Sequence, residues 1–228
     1  MADQISVVGT VILMMIVDFT KMAVEFKKFF GLDSSQTFPA LSIAENKLCM
    51  ADNHFEFNVI ADSEWNCKES VQAYYKHSEH HHEIGIKESV YKKACNGDKT
   101  ALVSIAHEIS HWGLINYFNI NIGIKEIEKL DAFSRVIAMN IYENIADLLT
   151  TLLVFSEDEL LKAQSAGDED FSSCMSENQI SLALFYCQNH ETLTESFMKR
   201  IASKIMAQNQ QKWRIFLDGL SAKKIASV

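Results

Sequence analysis

The chain is short of the residues that punctuate strands. Its 228 residues include one proline, Pro39, and eight glycines. All-β sandwiches and barrels need turn signals about every 8–12 residues, so that class is excluded and a mainly helical chain is expected. Paired cysteines are also missing. The five cysteines (Cys49, Cys67, Cys95, Cys174, Cys187) are odd in number and form no CxxC. That spacing argues against a disulfide framework and fits reduced thiols in a cytoplasmic protein. Basic residues are outnumbered: 21 Lys and Arg stand against 30 Asp and Glu, a net charge of −9. No Lys/Arg stripe is visible, which excludes direct nucleic-acid binding. Residues 5–17 (ISVVGTVILMMIV) form a strongly apolar run, but it is too short to span a bilayer. It lacks the basic start and small-residue cleavage site of a signal peptide. It reads as the beginning of a buried helix, with membrane anchoring as the competing role.

What is present is helical periodicity broken once by a strand pattern. A first helix is expected over residues 6–30, stopping near Gly31, and a short second helix over 40–48. Residues 54–59 alternate apolar and polar, a strand signal. Residues 84–87 give a second short strand and 88–95 a short helix. A long helix is expected over 123–155, from apolar residues at helical spacing. Residues 156–176 are polar and acidic and read as containing a loop. Two closing helices are expected over 177–208 and 212–225.

The most informative segment is His107-Glu108-Ile109-Ser110-His111, an HExxH motif. On a helix, positions i and i+4 share a face, so the two imidazoles can bind one metal ion together. Glu108 is placed to act as general base toward a metal-activated water, the arrangement of a zinc-dependent peptidase. Upstream, Asn96-Gly97 is a turn pair, Asp98 a helix-cap candidate, and 101–106 an apolar run. The motif therefore falls inside a largely buried helix rather than on an ordinary exposed one.

A catalytic zinc takes three protein ligands. A third histidine at the HExxHxxGxxH position is excluded, because Leu114 and Tyr117 occupy the last two signature positions. Residues 136–155 contain two charged residues, Glu143 and Asp147, four apart on one helix face. Buried carboxylates need a partner or a metal. Glu143 as third ligand, with Asp147 holding the far nitrogen of a ligand histidine, would account for both. The competing assignment is a solvent face of Asn140, Glu143, Asn144 and Asp147. Glu126, Glu128 and Asp131 are further ligand candidates. Tyr117, Tyr142 and His190 are candidates for stabilising an oxyanion. His54 and His190 also read as isolated polar contacts. His77, Glu79, His80, His81, His82 and Glu83 resemble a metal-collecting tract in composition, but read as a solvated loop.

The segment 84–111 (IGIKESVYKKACNGDKTALVSIAHEISH) resembles the ImmA/IrrE-type metallopeptidases, in which a short strand, a VY…A…GD turn and an AHExxH helix come in that order. Residues 23–39 (AVEFKKFFGLDSSQTFP) are similar to the family's first helix with its GLD…FP ending. Residues 55–65 (FEFNVIADSEW) are similar to the strand that follows. Residues 143–153 (ENIADLLTTLL) resemble its glutamate-bearing helix. The resemblance covers about residues 20–155. The chain differs in three places: Ser110 stands where the family carries glycine, Glu143 follows His111 by 143 − 111 = 32 positions, and the proline that usually follows the LL helix is missing.

The resemblance implies an α+β, mainly helical fold: a small antiparallel sheet on a zincin-like helical core, with additional C-terminal helices. Residues 1–156 would form the metallopeptidase domain and 157–228 a helical extension packed on the same core. It implies one zinc ion held by His107, His111 and Glu143, with Glu108 as general base. The substrate would be a protein, a helix-turn-helix transcriptional repressor controlling a mobile element or stress response. The rival expectation is a zincin-fold protein that binds or inhibits a partner without cutting it. Oligomeric state is not encoded in any readable feature.

Overall fold

The computed structural model describes residues 19–78, 80–120 and 132–166, with Ile180, Ala183 and Leu184. These all lie within one compact unit, residues 1–188. The apolar run 5–17, most of the proposed closing helices, Cys174 and Cys187 lie outside the described residues.

Helix α1 (Phe19–Phe29) buries Phe19, Met22, Ala23, Phe26 and Lys27, the stripe that a 3.6-residue period brings to one side. It ends where expected. Gly31 adopts φ +73°, the Gly31 N–H donates to Lys28 O at 2.8 Å and the Leu32 N–H to Lys27 O at 3.0 Å. This pair of bonds is the Schellman stop, and its left-handed residue favours glycine. The buried Lys27 keeps its ammonium satisfied by donating to Ser34 O (3.1 Å) and Gln36 O (2.9 Å), which holds the following loop against α1.

Helix α2 (residues 40–51) starts after Pro39 and contains a π-helical turn, Ile43–Lys47, between Ala40–Ser42 and Leu48–Ala51. Strands β1 (Phe55–Ile60), β2 (Ala73–Ser78) and β3 (His81–Lys87) follow. They form a mixed sheet in the order β1–β3–β2, with β1 parallel and β2 antiparallel to β3.

This corrects two expectations. The sheet is not purely antiparallel, and the histidine tract is no loop, because His77 lies in β2 and His81 and His82 in β3. The physical reason is the burial of β3. Ile84, Gly85 and Ile86 are buried in succession, so this strand needs cover on both faces and a partner on both edges. β2 supplies an antiparallel partner on one edge, and β1 takes the other. Tyr74 lies over Gly85 so closely that a Cβ there would stand 2.3 Å from its ring.

Helix α3 (Glu88–Cys95) ends in a second Schellman stop: Gly97 has φ +81°, its N–H donates to Ala94 O and the Asp98 N–H to Lys93 O, each at 3.0 Å. Asp98 then caps α4 (Lys99–Trp112) by accepting from the Ala101 N–H at 2.9 Å. A π-helical turn, Gly113–Tyr117, extends α4. Long helix α5 (Ala132–Val154) packs against α4 and α1, burying Ile145, Ala146, Leu148, Leu149, Leu152 and Leu153. No helix among the described residues is long and apolar enough to cross a membrane.

Residues 157–166 form helix α6 (Glu157–Ala166), within the stretch 156–176 that was expected to contain a loop; residues 167–176 lie outside the described residues. The signal was present as a capping box. The Ser156 Oγ accepts from the Glu159 N–H at 3.3 Å, while Glu159 Oε2 accepts from the Ser156 N–H at 2.8 Å. Leu160 and Ala163 are buried beneath the acidic surface.

Gly113 is α-helical at φ −60° and is needed for space, not backbone freedom. A Cβ there would stand 2.5 Å from the ring of Phe26, which is itself fully buried. Gly113→Ala should therefore destabilise the fold by about 1–3 kcal/mol through overpacking, measured by chemical denaturation; an unchanged denaturation midpoint would contradict this packing.

Candidate metal centre

The faces of α4 are sharply divided. Ile105, Ala106, Ile109 and Ser110 are fully buried, His111 is nearly so, and His107 and Glu108 are half-buried. The small residues matter most. Ser110 Oγ and Thr150 Oγ1 lie 2.9 Å apart across the α4–α5 interface. Each hydroxyl also lies within hydrogen-bond reach of its own helix, at 2.9 Å from Ala106 O and 2.7 Å from Ala146 O. Ala106 and Ala146 are fully buried at the same crossing. Short side chains let the two helix backbones approach. Ser110 is thus accommodated in the crossing, because its hydroxyl finds a partner.

This crossing sets Glu143 and Asp147 opposite the motif. His107 Nε2 and His111 Nε2 are 3.0 Å apart, and Glu143 Oε2 lies 3.3 Å from the first and 3.4 Å from the second. In a tetrahedral zinc site with bonds of about 2.0–2.1 Å, neighbouring donor atoms are separated by about 3.3–3.4 Å. The observed triangle is close to that size, and two imidazoles with a carboxylate are a zinc donor set. Among the described residues this is the group of three or more His, Cys, Asp or Glu side chains whose ligand atoms converge. Asp147 Oδ1 accepts from His107 Nδ1 at 2.9 Å. That bond fixes the proton on Nδ1 and leaves Nε2 directed at the centre.

The charges are strongly coupled. Burial disfavours a proton on His107, but its hydrogen bonds to Asp147 and Glu143 outweigh it and push the imidazole up to about 10. Hydrogen bonds from His107 and His111 hold the Glu143 carboxyl well below the usual carboxylate range. Burial pushes the Glu108 carboxyl up, while the two histidine rings and the Tyr75 backbone N–H favour its charged form. The donor set thus draws a positive charge to its middle.

Burial was the premise for choosing Glu143, and the structure alters it. The Glu143 side chain is 53% exposed and Asp147 30% exposed. Asn144 is exposed too. The two carboxylates sit at a rim and are held by the histidines rather than forced by desolvation.

The other candidates divide. The ring of Tyr142 lies 4.9 Å from that of His111, with its hydroxyl 3.5 Å from His111 O. Tyr117 instead joins an aromatic cluster, 4.6 Å from Phe29 and 5.6 Å from Phe26. His190, Glu126, Glu128, Asp131 and Glu79 lie outside the described residues.

Two contacts had not been foreseen. β2 is an edge strand, and its Tyr75 backbone faces Glu108. The Tyr-Tyr pair in 73–78 was the available strand signal. Asp52, at the end of α2, accepts from Trp112 Nε1 at 3.0 Å and from the His54 N–H at 3.0 Å, and also contacts His82 Nδ1. It ties the sheet to the end of α4 that carries His111. Only the His54 contact is local; Trp112 and His82 are 60 and 30 positions away, so no local pattern marks Asp52 as their link.

Searches of family models, curated proteins and solved structures return no match to this chain. The functional reading therefore rests on the chemistry of the site.

Asp147→Ala should weaken divalent-metal binding at this group by about 10–100-fold, the usual effect of losing a carboxylate behind a ligand histidine. Glu143→Ala should weaken it further by removing a ligand. Competition titration against a chelator reads both, and equal affinity in all three proteins would refute the assigned centre.

Proposed function

We propose that the chain is a zinc-dependent metallopeptidase of the ImmA/IrrE type, with a zincin-like core, acting in the cytoplasm on a protein substrate. The carrying observation is the convergence of His107, His111 and Glu143 on one point with Glu108 beside it. A zinc ion held there would supply Lewis acidity, acidifying a water molecule and polarising a peptide carbonyl.

The chain's own groups account for the rest. His107 and His111 bind through Nε2 and Glu143 through Oε2. Asp147 keeps His107 in the binding tautomer. Glu108 takes the proton of the attacking water and delivers it to the departing amine. Tyr142, against the His111 ring, is the candidate that the geometry favours for contacting the carbonyl oxygen. The β2 edge leaves backbone groups near Tyr75 unpaired by the sheet, and an extended peptide can add there as a further strand. Substrate backbone would then be held directly beside Glu108. The resemblance to the ImmA/IrrE family points to a helix-turn-helix repressor as that substrate.

The test is incubation of the zinc-loaded chain with the repressor encoded nearest its gene, read by mass spectrometry of fragments. Cleavage should stop on chelation and return with zinc. Glu108→Gln should keep the metal while lowering cleavage by about 10²–10⁴-fold. A metal-loaded wild type that binds the repressor and leaves it intact would instead make the chain a binding module. Persistence of cleavage in Glu108→Gln would refute the mechanism.

A further inference from the structure

A second group of histidines stands outside this centre. His77 on β2 and His82 on β3 are directly opposed in the antiparallel register. Their rings lie 4.8 Å apart and nearly parallel, at 21°. His82 Nδ1 is engaged by the Asp52 carboxylate. This is the relation that Asp147 has to His107, and it has the same consequence: the proton stays on Nδ1 and the Nε2 lone pair is left for a ligand.

His77 differs in a telling way. Its Nδ1 is buried and has no hydrogen-bond partner. A buried, unmet ring nitrogen is unfavourable unless a ligand satisfies it. The flanks are rich in the same chemistry. His80 lies 6.4 Å from His54, ring to ring, and His81 Nε2 is 3.5 Å from Glu83 Oε2.

We propose that His77 and His82 form a second transition-metal site, a two-imidazole chelate across the β2–β3 hairpin that takes zinc or another imidazole-preferring divalent ion. Directly opposed residues on antiparallel strands hold their Cβ atoms about 4.5–5.5 Å apart, and nitrogen donors select zinc, nickel and copper over magnesium or calcium. Among the described residues no third donor converges on this pair as Glu143 does on the first centre. Water fills the remaining positions, and the site binds more weakly than the first. It does not depend on the chain being a peptidase.

The test is equilibrium dialysis of the full chain against zinc with elemental analysis. Wild type should take up two equivalents. The double variant His107→Ala/His111→Ala, which lacks the first centre, should still take up one. In that background His77→Gln or His82→Ala should weaken the remaining site at least about tenfold, and Asp52→Asn by about tenfold, as loss of an orienting carboxylate does. His77 is half-exposed on an edge strand, so His77→Gln is expected to fold, and circular dichroism checks this. His80→Ala/His81→Ala should leave the second equivalent in place. A His107→Ala/His111→Ala variant that takes up no zinc overturns the proposal. So does a second equivalent that survives His77→Gln, or one that is lost with His80 and His81. Because the decisive arm lacks His107 and His111, failure of the peptidase reading would leave it unaffected.

Discussion

The close crossing of α4 and α5 is the constraint on which the candidate metal centre depends. Ala106 and Ser110 on one helix meet Ala146 and Thr150 on the other, and the paired hydroxyls of Ser110 and Thr150 are buried between them. A larger residue at any of these positions would separate the backbones. The carboxylates of Glu143 and Asp147 would then lose their contact with the two histidines, since charge-assisted hydrogen bonds weaken steeply beyond about 3.5 Å. Ligand geometry here is a consequence of helix packing.

The crossing is itself held from three sides. The Schellman stop at Gly97 and the Asp98 cap fix where α4 begins, leaving no slack between α3 and α4. Gly113 lets the Phe26 ring lie against the far end of α4, so α1 is anchored there. Asp52 joins Trp112 to His82 and to the start of β1. The sheet that results presents its β2 edge to Glu108. Glu108, the group His107, His111 and Glu143, and the β2 edge are thereby brought together.

Much of this was legible because it is local. The helix stops at Gly31 and Gly97, the Asp98 cap, the 3.6-residue stripe of α1 and the one-turn spacing of His107 and His111 each depend on residues within a few positions of each other. The failures were of two kinds. The capping box at Ser156 and Glu159 was overlooked beneath an acidic surface, although the pattern was there. The parallel pairing of β1 with β3, and the placement of His77 and His82 in a hairpin, were beyond reach of local pattern. They follow from the need of β3 for partners on both edges, which is a property of the assembled sheet.

The sequence by itself determined that a helix carries two imidazoles and a carboxylate in the spacing a zinc site needs. Side-chain periodicity alone enforces that. It also marked Glu143 and Asp147 as unusual on the premise of burial, which does not hold for the exposed Glu143 and holds only in part for the half-buried Asp147. Only the tertiary structure decided that these two meet the histidines, since 32 positions of chain separate Glu143 from His111. No local rule specifies where so distant a segment returns. Packing specifies it, through the few small residues that let two helices touch.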